Sequence, residues 1–122
     1  MVFTACATPA LARADADESA KTKAELRKIL IGKVMSSDIV ADRLTIVDVT
    51  FQVCGLTVKT AEYVTPLAFS FSTMSDYKGD DKGFAFVFKN GSKTYVDISD
   101  EDDRLSALID MEYLFEDCKF NP

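Results

Sequence analysis

Phe84-Ala85-Phe86-Val87-Phe88-Lys89-Asn90-Gly91-Ser92-Lys93-Thr94-Tyr95-Val96-Asp97-Ile98 is the stretch from which the fold can be read. Phe84, Phe86 and Phe88 alternate with smaller residues, and Thr94, Tyr95, Val96 and Ile98 are the residue types that fill strands. Asn-Gly between two such runs signals a tight reversal, because both central residues of a type I′ turn take positive φ. The spacing predicts an antiparallel hairpin turning at Asn90 and Gly91.

Upstream, Ser75-Asp76-Tyr77-Lys78-Gly79-Asp80-Asp81-Lys82-Gly83 has no apolar period and two glycines, and reads as the longest loop. Before it, Leu67, Phe69 and Phe71 alternate with Ala68, Ser70 and Ser72, predicting a strand from beyond Pro66 to near Met74. Leu56 to Val64, after Gly55, is rich in β-branched residues and reads as another. From Arg43 to Val53 the period is again two, with Val47, Val49, Phe51 and Val53 on one side. Two helices flank these strands. From Asp17 to Ile31, Ala20, Ala24, Leu26, Ile29 and Leu30 fall near one face, and Gly32 suits the position past the end. The helix begins at Asp17 or at the Thr22–Glu25 capping-box spacing. Downstream of the hairpin, Ser99 suits a cap and Asp100, Glu101, Asp102 and Asp103 place negative charge on a first helical turn. Leu105, Leu108, Ile109, Met111, Leu114 and Phe115 then cover much of that helix, which predicts a largely buried element with Asp110, Glu112 and Glu116 outside. The expected fold is α+β: an N-terminal helix, an antiparallel meander of about five strands, and a C-terminal helix packed on the sheet. A helix on a curved antiparallel sheet suggests a cystatin-like or cone-shaped sheet architecture, which by itself carries no function.

At 122 residues the chain holds one domain, and its 48% hydrophobic and 28% charged residues are those of a folded protein. Residues 1–14, MVFTACATPALARA, are apolar and end in the A-x-A form of a leader cleavage site, although no basic residue precedes Arg13. They read as a truncated secretory leader or an N-terminal arm, with a lipidated Cys6 as a further reading, and residues 15–122 as the single domain. Removing the leader removes Cys6 and leaves Cys54 and Cys118, a pair able to form one disulfide; the alternative is two buried thiols. An exported or periplasmic location is therefore expected, with a cytoplasmic one as the alternative.

A net charge of −6 with basic residues scattered singly excludes nucleic acid as an expected partner and disfavours anionic membrane surfaces. No segment reads as a membrane span. With no histidine, the commonest general base and the Ser-His and Cys-His pairs are absent. Ser75-Asp76-Tyr77-Lys78 has S-x-x-K spacing but lies in the expected loop, and the acidic clusters lack the order of a calcium loop. No metal or other cofactor is expected. The feature that exceeds a small core is aromatic: Phe69 and Phe71 on one strand, Phe84 and Phe86 on another, and Tyr95 beyond the turn. With Asp76, Tyr77, Asp80 and Asp81 of the adjoining loop at its rim, this set is the candidate ligand or partner surface. The reading is a small acidic, non-enzymatic binding module, of exported inhibitor type, that engages a protein partner. The alternative is a carrier or simple enzyme holding a small apolar ligand between sheet and helix.

Overall fold

The computed structural model describes residues 17–38 and 43–120. The expected leader or arm at 1–14, with Cys6, lies outside the described residues. Helix α1 covers residues 17–30. Leu26, Ile29 and Leu30, three to four residues apart, are buried on one face, while Ala20 and Ala24 are exposed. Thr22 lies inside this helix, its hydroxyl donating to the Glu18 carbonyl (2.9 Å), so the helix does not start at the capping-box spacing. Gly32 follows with φ +88°, and its N–H donates to the Ile46 carbonyl (2.7 Å), which turns the chain from helix into sheet.

Seven antiparallel strands follow: β1 (Val34–Ser37), β2 (Leu44–Gln52), β3 (Gly55–Thr60), β4 (Leu67–Ser70), β5 (Met74–Gly79), β6 (Gly83–Phe88) and β7 (Lys93–Asp97). Helix α2 spans Glu101–Phe120. The helix–sheet–helix order agrees with the sequence; the count of about five strands does not. Of β1, only Met35 is fully buried, so four residues carry no readable period. Strand β5 occupies most of the expected Ser75–Gly83 loop, and its pairing with β6 shifts between Met74 and Asp76. A bulge there puts buried Met74 and half-buried Tyr77 an odd number of residues apart, which hides the alternation. Strand β2 also bulges, between Ile46 and Asp48, so Ile46 and Val49 both face the core while Val47 and Val53 lie exposed.

The sheet runs β4-β3-β2-β1-β7-β6-β5. The expected β6–β7 hairpin is present, with Val87 opposite Lys93 and Phe84 opposite Val96. Its turn differs from the expected type: only Gly91 has positive φ (+90°), because the loop holds three residues, Lys89–Gly91. Gly91 N–H donates to the Phe88 carbonyl and Phe88 N–H to the Ser92 carbonyl, the pattern of a type I turn followed by a left-handed glycine. Asn90 contributes its side chain, whose Oδ1 accepts from the Ser92 amide (2.9 Å).

Strand β4 stops earlier than the alternation suggests, at a 3-10 turn, Phe71–Thr73, whose first amides are met by the Ser70 hydroxyl accepting from Ser72 N–H. The two Phe-bearing strands β4 and β6 do not pair. Their rings meet instead across the interior of a curled sheet, Phe69 lying 6.3 Å from Phe86 and 5.9 Å from Phe88 between centroids. Leu26 and Leu30 of α1, Ala107, Met111 and Leu114 of α2, and Ile46, Leu56, Phe84 and Val96 of the sheet complete one continuous core.

Cys54, in the β2–β3 turn, is bonded to Cys118 in the last turn of α2, with Cα atoms 5.5 Å apart across 64 residues of sequence. The bridge joins the C-terminal end of α2 to the sheet. No helix among the described residues is long and apolar enough to cross a membrane.

Candidate functional site

The residues singled out from the sequence separate into three groups. Phe69, Phe71, Phe84 and Phe86 are all core residues, between 0% and 7% exposed. Phe84 and Phe86 pack edge to face, centroids 5.2 Å apart. Phe69 and Phe88 form the floor of an open 370 Å³ cleft between β4 and the β6–β7 turn, bordered by Ser70, Asn90 and Lys89. Phe71 touches a second open depression, 790 Å³, beside the disulfide.

Asp80, Asp81 and Tyr95 gather at the β5–β6 turn. Asp80 Oδ1 accepts from the amides of Lys82 (2.8 Å) and Gly83 (2.9 Å) and from the Tyr95 hydroxyl (2.8 Å). These bonds, the Lys82 amide first, hold the Asp80 carboxyl below the usual range. Tyr95 moves the opposite way, pushed up to about 12 by burial and then by Asp80, with the charges of Asp97 and Asp81 adding. A phenol protonated at every physiological pH and a carboxylate occupied by three donors form a latch that ties β7 to the turn. They do not form an acid–base pair. Asp81 lines a shallow 460 Å³ depression together with Lys33, Lys82 and Asp97, so charges of both signs meet there, and Asp97 is also paired with Arg43.

Asp76 and Tyr77 lie on β5 beside α2. Asp76 accepts from the Tyr77 amide (2.8 Å), and the Tyr77 ring meets Phe115 edge to face at 5.8 Å. The phenol of Tyr77 is raised by burial and then by the charges of Glu112, Glu116 and Asp76, which locates a concentration of negative charge along this flank of α2.

Three residues of that helix lie on the side opposite to the one its apolar pattern predicts. Leu105 and Ile109, expected in the core, are 51% and 65% exposed, and Asp110, expected outside, is 7% exposed. The helix lies with Ala107, Met111 and Leu114 inward, so positions 105 and 109 point away and 110 turns in beside Glu25 of α1. The readable signal was the excess of apolar residues around the circumference, since a helix laid on a sheet buries one side only.

No family model matches the sequence, and none of the curated proteins matches it. Among solved structures, the chain resembles the PH domain from TgAPH, with a TM-score of 0.55 and 12% identity over 85% of this chain and 95% of that one. It also resembles the PH domain from PfAPH, with a TM-score of 0.57 and 12% identity over 78% of this chain and 89% of that one. At this identity the likeness is one of fold: the chain has a PH-domain-like architecture.

Proposed function

We propose that this protein is a non-enzymatic binding module whose acidic surface engages a protein partner. The observation that carries the reading is the placement of the aromatic residues. The sheet's Phe side chains fill the core, so recognition falls to the surface, and that surface belongs to a chain of net charge −6. Its PH-like scaffold supports a binding role, because PH domains serve as protein- and lipid-binding modules. The absence of histidine and the bonded state of Asp80 and Tyr95 support a role without catalysis. The Cys54–Cys118 bridge supports an exported or periplasmic setting, where disulfides persist.

The test is reconstitution. Cross-linking in the native extract identifies a partner, and the two purified proteins are then mixed at increasing salt. A stoichiometric complex weakened by salt is expected; if the partner is an enzyme, an inhibitor-type role shows as loss of its activity at that ratio. Failure of the purified proteins to associate, with co-sedimentation on phosphatidylserine vesicles or uptake of a fatty acid into the Phe69–Phe88 cleft, would overturn the reading.

A further inference from the structure

Helix α2 is apolar on two sides. Its inner side, Ala107, Met111 and Leu114, is accounted for by the core. Its outer side carries Leu105 and Ile109, four residues apart and so stacked along one face. By the same helical geometry Glu101, Asp102 and Glu112 share that face and are exposed, with the Glu116–Lys119 pair at its C-terminal end. The cations of the helix are engaged at its ends. Arg104 donates to the carbonyls of Ile98 and Ser99, while Lys119 pairs with Glu116 (3.3 Å) and lies over the Phe115 ring at 4.8 Å. A single exposed leucine is ordinary, but two aligned aliphatic side chains bordered by carboxylates of one sign are the complement of a helix with the reverse charge.

We propose that the outward face of α2, with Leu105 and Ile109 at its centre and Glu101, Asp102 and Glu112 at its border, docks a basic amphipathic helix of the partner protein. The inference rests on the protein-binding reading above and adds to it a place and a partner chemistry. Aliphatic side chains of the partner cover Leu105 and Ile109, and its Lys and Arg side chains meet the carboxylates. An anionic membrane is repelled by this face. A second copy docked through the same face about a two-fold axis would bring carboxylates against carboxylates. The apolar centre is small, so affinity is on the order of micromolar and falls with salt.

The probe is a synthetic amphipathic helix of Leu and Lys, titrated into the full chain and followed by amide NMR, with the same peptide carrying Glu in place of Lys as control. Shifts confined to α2 around Leu105, Ile109 and Glu112 are expected with the Lys peptide alone. The double variant Leu105→Ser/Ile109→Ser should bind about tenfold more weakly or worse while keeping its melting temperature, because neither side chain is part of the core. Shifts centred elsewhere, no binding, undiminished binding by the double variant, or self-association that the variant abolishes would each overturn the proposal. The reconstituted complex separates this failure from that of the broader reading. If the double variant still binds the native partner, only the location on α2 falls; if the parent binds none, the protein-binding reading falls with it.

Discussion

Asp110 is strongly perturbed by its surroundings. It is buried beside Glu25, its Oδ2 has no hydrogen-bond partner, and its carboxyl is pushed up to about 7, by burial first and then by the hydrogen bond and charge of Glu25. A folded-state value above the unfolded one means that the folded protein retains a proton the unfolded chain has lost. The stability that this proton supplies is full below about pH 4 and is lost as pH rises through about 7. Melting temperature should therefore fall between about pH 4 and 7, and Asp110→Asn should flatten that profile and stabilise the protein at pH 8 by about 1–2 kcal/mol, read by thermal unfolding across pH. An unchanged profile in the variant would show that Asp110 does not carry this pH dependence. At Gly83 the constraint is space: a Cβ there would collide with the Val96 carbonyl oxygen and lie 3.0 Å from Tyr95 Oη. Gly83→Ala should cost about 3 kcal/mol in denaturant unfolding, because backbone on the paired strand cannot step aside without opening the hairpin.

Among the elements, α2 is begun by a residue other than the one its sequence suggests. Asp100 Oδ1 accepts from the Asp103 amide (2.9 Å), and the Asp100 carbonyl accepts from Arg104 N–H, so Asp100, not Ser99, is the cap. Ser99→Ala should then be nearly neutral, whereas Asp100→Ala should lower unfolding free energy by about 1 kcal/mol. The reverse ranking would place the cap one residue earlier. Glu101, Asp102 and Asp103 add favourable charge at the same turn. Strand β4 shows a similar shift of one boundary. Its Leu67–Phe69–Phe71 alternation is genuine, yet the chain leaves the sheet after Ser70 because the Ser70 hydroxyl supports a 3-10 turn and Phe71 N–H goes to the Cys54 carbonyl.

For the molecule as a whole, the disulfide is a long covalent constraint, since it joins residues 64 apart in sequence and spans most of the sheet. Closing a loop of that size in the unfolded chain is worth roughly 4 kcal/mol in the chain-entropy account. Reduction, or the paired change Cys54→Ser with Cys118→Ser, should lower the melting temperature by ten degrees or more, in the range of about 4–8 °C per kcal/mol. Non-reduced, unfolded protein should label with no thiol reagent at Cys54 or Cys118; two reactive thiols there would remove the bridge and the support it lends to export.

The β6–β7 hairpin and the presence of α1 and α2 are legible in the sequence, because each depends on residues within a few positions of one another: a period of two or of 3.6, and a glycine where φ must be positive. That local logic also explains where the reading stopped. Strand β1 exists because β2 and β7 flank it, not because Val34-Met35-Ser36-Ser37 carries a pattern. The bulges at Ile46/Asp48 and Met74/Asp76 each add a residue that resets the alternation, and pairing with a neighbouring strand decides where they fall. The rotation of α2 was set by its contacts with the sheet and α1, which turned Asp110 inward and left Leu105 and Ile109 outside although all three lie on one apolar-rich helix. Periodicity shows that a helix has a face to bury; which of two apolar faces is buried is settled by the surface against which it packs.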